Sequence, residues 1–269
     1  MSADFHVHVF HPKIAGKVLE QLEDHYGIRP VGTGLVDDLL HFLDRAGIHK
    51  AVVHSAATSP DQVIPANNWA ISIQETYPRL TAFGTLHPDY QDWRKELDRL
   101  EKNRIIGLKF HPDFQGYDLA DSRLNPLFEE IGKRFILMFH VGDSLPPDIN
   151  PSSPGKLAAI RKNHPDLIMV AAHLGGYLHW DDALKYLAGK DIYMDTSSSL
   201  PFISNDLLRQ ILNSHPLERL LFGSDYPLFD SSTELRLLKE KAGFSSQKIE
   251  TLLENGDRLI QAVRRRKSA

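Results

Sequence analysis

Short apolar runs alternate along the chain with longer stretches whose apolar positions recur at helical spacing. The short runs cover residues 5–9, 51–55, 81–86, 105–110, 135–141, 167–172, 192–196 and 219–223. Each is rich in β-branched or aromatic residues and is bounded by polar residues, Gly or Pro, which is the pattern of a strand. Between them, residues 35–43, 93–100 and 126–131 place their apolar side chains on one helical face, and Gly47 and Gly132 supply stops. The strand centres lie roughly 25 to 45 residues apart, which suits repeated βα units of about 30 residues. Such units make a parallel sheet covered by helices. Eight of them in one chain predict an α/β fold closed into a single (β/α)8 TIM barrel, with an open doubly wound sheet as the alternative.

One connection is longer than the rest. It has room for an extra helix over residues 14–26, followed by the loop 27–34. Long connections in compact domains serve as lids or binding loops, so this one is expected to cover the mouth of the site after strand one.

Composition narrows the picture without changing it. The 269 residues fall in the size range of one barrel and are read as a single domain over 1–269. The balance of 31 Lys+Arg against 35 Asp+Glu gives a net charge of −4, which carries no nucleic-acid footprint. The basic run Arg264-Arg265-Arg266-Lys267 reads as a solvated, frayed tail. No leader sequence and no membrane-length apolar stretch is evident. With no cysteine, disulfides and thiolate metal sites are excluded, which is compatible with a cytoplasmic location. A small molecule is the expected partner.

Histidine is where the chemistry concentrates. His6 and His8 stand two apart on strand one and so share a face. They either converge on an ion or are two buried, hydrogen-bonded histidines. Of the 14 histidines, seven fall near the C-terminal ends of strands: His6, His8, His54, His87, His111, His140 and His173. The last two strands end near Asp195 and Asp225. In a parallel barrel those ends meet at one face, where active sites are built. Three imidazoles and a carboxylate suit a divalent transition metal such as Zn, Mn, Fe or Co. A water bound to such an ion has its pKa lowered from 15.7 towards about 7.

The motifs Asp4-Phe5-His6-Val7-His8, Gly107-Leu108-Lys109-Phe110-His111-Pro112, Phe139-His140-Val141-Gly142, Ala172-His173-Leu174-Gly175-Gly176 and Phe222-Gly223-Ser224-Asp225-Tyr226-Pro227 occur in this order over nearly the whole chain. In them the sequence resembles the amidohydrolase superfamily, and within it the amidohydrolase-2 branch that includes the aminocarboxymuconate-semialdehyde decarboxylase-like enzymes. The resemblance implies that His6, His8, His140 and Asp225 hold one divalent metal, most simply Zn2+. It further implies that Asp225 accepts a proton and that His173 acts beside the metal as acid or base. Lys109 and His111 share a face and are candidates for substrate contact or, for Lys109, bridging of two metals. Tyr177 and Trp180 are candidates for lining the pocket or for packing. Relatives of this kind often form homodimers.

Four functions compete at this level. The first is hydrolysis of an ester, lactone or amide, and the second is metal-dependent decarboxylation of an unsaturated or aromatic acid. The third is phosphoester cleavage of the TatD deoxyribonuclease kind, weakened because Lys109 and His111 stand where those enzymes carry a glutamate. The fourth is a barrel without catalysis, which has no need for converging imidazoles.

Overall fold

The computed structural model describes residues 1–268. Every expected strand is present, shortened to the part that its neighbours can pair. The strands are β1 (Ala3–Val7), β2 (Lys50–Val53), β3 (Leu80–Ala82), β4 (Gly84–Thr85), β5 (Gly107–Phe110), β6 (Ile136–Phe139), β7 (Ile168–Ala171), β8 (Tyr193–Asp195) and β9 (Leu220–Leu221). The helices are α1 (Ala15–Tyr26), α2 (Val36–Ala46), α3 (Val63–Thr76), α4 (Trp93–Lys102), α5 (Pro112–Gln115), α6 (Asn125–Ile131), α7 (Pro154–Asn163), α8 (Trp180–Tyr186), α9 (Asn205–Ser214), α10 (Ser231–Glu240) and α11 (Ser246–Ser268).

All strand pairings are parallel and follow sequence order, β1 to β3 and β4 to β9. The third expected strand is divided at Phe83 between two neighbours: β3 pairs with β2, a ladder that Phe83 N continues by donating to Val53 O at 2.9 Å, and β4 pairs with β5. Counting β3 and β4 as that one strand gives eight. At the other seam, Phe5 N donates to Phe222 O (2.7 Å), Asp225 N to His6 O (2.8 Å) and His8 N to Tyr226 O (2.7 Å). These bonds join the last strand to the first, so the sheet closes as the barrel that the apolar pattern predicts.

The core has two layers. Leu137 and Phe139 of β6 pack outward with helix residues such as Leu39, Leu100 and Leu157. Ile136 and Met138 of the same strand pack inward with Phe5, Val52, Phe83, Val170 and Leu221. This is the two-residue period of a strand buried on both faces. In β1 the pairing register shifts between Asp4 and Val7. That irregularity lets Phe5 fill the interior while the adjacent His6 also turns inward.

One expectation fails. Residues 264–267 do not form a frayed tail but continue α11. Leu259, Ile260 and Val263 of α11 pack on the barrel interior cluster, and that burial carries the helix onward. Arg264 then donates to Thr81 Oγ1 (3.2 Å), and Lys267 pairs with Glu101 (2.9 Å) and sits 4.3 Å from the Phe135 ring centre. With α11 at the strands' N-terminal end, only the C-terminal end remains for a site.

The long connection after β1 carries α1, as expected, and α1 lines the cavity at the barrel mouth. Only Ala15 of its twelve residues is buried. No helix among the described residues is long and apolar enough to cross a membrane.

Candidate active site

Side chains from six strand ends converge at the C-terminal mouth. His6 and His8 come from the end of β1, Lys109 and His111 from β5, and His140 from the residue after β6. His173 follows β7, Asp195 ends β8, and Asp225 follows β9. His6, His140, His173, Asp195, Asp225 and Lys109 are all buried. Three residues here hold positive φ without being glycine: His173 at 61°, Ser198 at 46° and Asp225 at 65°. Such backbone is costly and persists where its surroundings enforce it.

The hydrogen bonds fix which ring nitrogens carry protons. His6 Nδ1 lies 2.9 Å from Asp195 Oδ2, and His8 Nδ1 lies 2.9 Å from the carbonyl oxygen of His54. A carboxylate and a carbonyl only accept, so both Nδ1 atoms donate and both Nε2 atoms present lone pairs. Those two Nε2 atoms stand 3.2 Å apart. Asp225 Oδ1 is 3.2 Å from one and 3.5 Å from the other. Three electron-pair donors thus face one another in a buried space, an arrangement that repels itself unless a cation joins it. Lys109 Nζ, 3.1 Å from His6 Nε2, supplies part of that positive charge.

A second chain of bonds runs behind the first. His173 Nδ1 donates to Ser197 O (3.1 Å), leaving Nε2 to accept from His140 Nδ1 (3.0 Å). His140 Nε2 is then a buried lone pair with no partner. The donor set His6, His8 and Asp225 falls within 4.8 Å of itself, whereas His140 groups with His111 and Asp113, its ring stacked 3.8 Å from that of His111. Histidine nitrogens and carboxylate oxygens held in these tautomers fit a divalent metal.

Burial dominates the protonation of the site. It pushes His6 down to about 4, helped by Lys109 and opposed by Asp195. It pushes His140 well below the ordinary imidazole value, with His111 and His173 adding to the effect. Burial also lowers Lys109, to about 8, although Asp225 and Asp195 pull the other way. For the two aspartates burial is outweighed. His6, His173 and Ser197 hold Asp195 down at about 2, and His6, His8 and His173 hold Asp225 well below the carboxylate range. Neutral imidazoles beside ionised carboxylates are the state in which both are ligands.

Two glycines make room for this packing. At Gly142, with φ of 77°, a Cβ would stand 2.3 Å from the carbonyl oxygen of Tyr177. At Gly223 it would stand 2.8 Å from the Cβ of His6.

Among the candidates for substrate contact, Lys109, His111 and Tyr177 line a cavity of about 870 Å³ that opens above the cluster. Trp180 is not among its lining residues; its indole N–H donates to His173 O at 3.0 Å, behind the site. Sequence reasoning missed Ser197 and Ser198. Ser197 bonds His6, His173 and Asp195, and the Ser198 hydroxyl donates to Asp225 Oδ2. The run Thr196-Ser197-Ser198-Ser199 directly after a buried strand was the available signal. Tyr26 and Phe114 line the cavity beside His111; Tyr26 lies on the helix expected over the mouth, and Phe114 had no signal.

A closed (β/α)8 barrel with a histidine and carboxylate cluster at its C-terminal mouth defines a metal-dependent barrel enzyme. The amidohydrolase family model matches residues 3–254, and the chain belongs to that family, whose members are metal-dependent enzymes. Among solved structures, an uncharacterized TIM-barrel protein from Bordetella bronchiseptica is similar with a TM-score of 0.76 and 15% identity, over 97% of this chain and 98% of that one. A mutant 5-carboxyvanillate decarboxylase from Novosphingobium aromaticivorans, solved with manganese and a nitrobenzoic acid, gives 0.70 and 15% over 97% of both chains. A candidate 2-pyrone-4,6-dicarboxylic acid hydrolase from Pseudomonas putida gives 0.66 and 17%, again over 97% of both. At these identities the likeness establishes the fold. No curated protein matches the sequence.

Proposed function

We propose that the chain is a metal-dependent hydrolase acting on an ester, lactone or amide bond of a small molecule. His6, His8, His140 and Asp225 would hold one divalent cation, zinc or manganese. The observation that carries this reading is the convergence of His6 Nε2, His8 Nε2 and Asp225 Oδ1 within 3.5 Å as unshared electron pairs. His140 joins the set on the strength of its buried, unpartnered Nε2 and its place in the family motif.

A divalent ion there supplies Lewis acidity, polarising a substrate carbonyl and making water acidic. The protein's own groups do the rest. Asp225, ionised and steadied by the Ser198 hydroxyl, accepts the proton that the attacking water loses. His173 has both nitrogens engaged and sets the tautomer of His140. Lys109, at the cavity floor, holds a substrate carboxylate or developing oxyanion by its ammonium. The absence of cysteine fits a cytoplasmic setting.

Decarboxylation is the second reading. It is favoured by the aromatic mouth, where Tyr26 meets Phe114 at 5.9 Å and, edge to face, Tyr177 at 5.8 Å between ring centres, and by decarboxylases among the fold neighbours. One experiment separates the two. The manganese- or zinc-loaded protein is incubated in oxygen-18 water with a panel of lactones, esters and unsaturated aromatic acids. Hydrolysis puts label into the product acid, whereas decarboxylation yields a product lighter by CO2 with no label. Label-free products lacking CO2 would overturn the hydrolase reading.

A further inference from the structure

The cavity above the cluster is far larger than the cluster needs. Much of it is a trough between α1 and the N-terminal half of α3. From α1 and the turn before it come two adjacent rows at four-residue spacing. Ile14, Val18, Leu22 and Tyr26 are apolar, and Lys13, Lys17, Gln21 and His25 are polar. Pro65, Ala66 and Trp69 of α3 supply the facing wall. Tyr26 packs against the core cluster, but Ile14, Val18 and Leu22 are not buried in it, for Ile14 is 49% exposed and only Ala15 of α1 is buried. At 1.5 Å per residue the twelve residues of α1 give the trough a length of about 18 Å.

The ends of the trough differ. Tyr26 closes the inner end, its hydroxyl 3.5 Å from His111 Nε2. The outer end carries Lys13 and Lys17, one turn apart. The acids of α1, Glu20, Glu23 and Asp24, are all absent from the lining, and Asp225 at the floor is the one acidic lining residue. A chain of net charge −4 has therefore sorted cations onto this wall.

We propose that the trough receives an elongated amphipathic substrate. Its reacting group lies at the metal cluster, its apolar body lies along Ile14, Val18 and Leu22, and an anionic far end meets Lys13 and Lys17. This rests on the proposed reaction site, because the same cavity leads to it, but it concerns binding and is tested without turnover. An apolar body explains why α1 keeps an uncovered apolar row. A terminal anion explains why that row ends in lysines.

Manganese-loaded protein is titrated calorimetrically with succinate, adipate, suberate, sebacate and dodecanedioate. Affinity rises by up to about fourfold per added methylene, the equivalent of ~0.8 kcal/mol per buried CH2, through dodecanedioate, which is still shorter than the trough. The half-buried Val18 is replaced in Val18→Trp, which blocks the trough, abolishes the gain beyond adipate and leaves succinate unchanged. In the Lys13→Gln/Lys17→Gln variant, affinity for the best-fitting long diacid falls at least about fivefold, and succinate binding stays the same. Affinity independent of chain length, or long-chain binding unmoved by Val18→Trp, overturns the proposal. Length-dependent binding without hydrolysis of any substrate would leave the trough assignment standing and remove the hydrolase reading alone.

Discussion

Asp195→Asn tests whether the carboxylate behind the cluster sets the chemistry in front of it. Asp195 Oδ1 accepts from the backbone N–H of His173 (3.2 Å) and of Ser197 (3.0 Å), and from the Ser197 hydroxyl. Its Oδ2 accepts from His6 Nδ1 at 2.9 Å. Asparagine has one oxygen and one NH2 to divide between these places. With the NH2 towards the backbone, two buried N–H donors lose their acceptor, at about 1–3 kcal/mol each. With the NH2 towards His6, the imidazole exchanges tautomers and gives up one bond, the one its Nε2 accepts from Lys109 Nζ at 3.1 Å. The second arrangement costs less and is the one expected. His6 Nε2 then carries the proton and no longer offers a lone pair beside His8 and Asp225. Loss of such a supporting partner lowers metal affinity by about 10- to 100-fold, or about 1.4–2.8 kcal/mol. The assay is competition for zinc or manganese against a chromophoric chelator, with the His6 tautomer read by long-range proton–nitrogen NMR on histidine-labelled protein. Wild-type affinity with His6 still protonated at Nδ1 would refute the reasoning.

Three further outcomes follow from the same geometry. Removing the orphaned imidazole in His140→Ala lowers the metal retained per chain, measured by elemental analysis after dialysis; unchanged content would take His140 out of the ligand set. Gly142→Ala forces a Cβ to 2.3 Å from Tyr177 O at a positive φ and should cost upwards of about 2 kcal/mol, seen as a lower denaturation midpoint; a midpoint equal to wild type would show that the turn relaxes freely. Glu234 is buried with neither oxygen partnered, and burial, reinforced by Asp225, Asp230 and Asp4, pushes it from 4.5 to about 8. The folded protein then keeps a proton that the unfolded chain releases above about 4.5, so stability falls as pH rises towards 8, by at most about 1.4 kcal/mol per pH unit. Glu234→Gln removes that slope, and its Tm advantage grows from pH 5 to pH 8; parallel Tm profiles would count against it.

The barrel was legible because its signal is periodic. Eight apolar runs separated by helical stretches leave few topologies, and right-handed parallel crossovers leave fewer. The histidines were legible because strand ends are where a barrel gathers its side chains. Other features depend on contacts far apart in sequence. The division of the third strand at Phe83 reflects β3 pairing with β2 and β4 with β5, which no local propensity encodes. Phe5 and His6 both face inward only because the register slips between Asp4 and Val7, whereas strict alternation would send one of them out. The basic run 264–267 looks like a tail by charge, yet Leu259, Ile260 and Val263 tie its helix to the barrel. Trp180 sits next to a site motif in sequence, but its N–H is spent on His173 O.

The cluster shares one construction across separate strands. Asp195 fixes His6, the carbonyl of His54 fixes His8, and the carbonyl of Ser197 fixes His173 and through it His140. Each acceptor sits at or just past the end of a different strand from the ring it serves. The proton on every one of these rings is therefore held on the side away from the cavity by the order of strands around the barrel. Backbone carbonyls cannot titrate, and the one carboxylate involved is held at about 2, so the Nε2 lone pairs of His6 and His8 stay directed inward over the working pH range. A rigid parallel barrel can do this where a flexible loop site cannot, because closing the sheet sets the distance from each acceptor to its imidazole before any ion arrives.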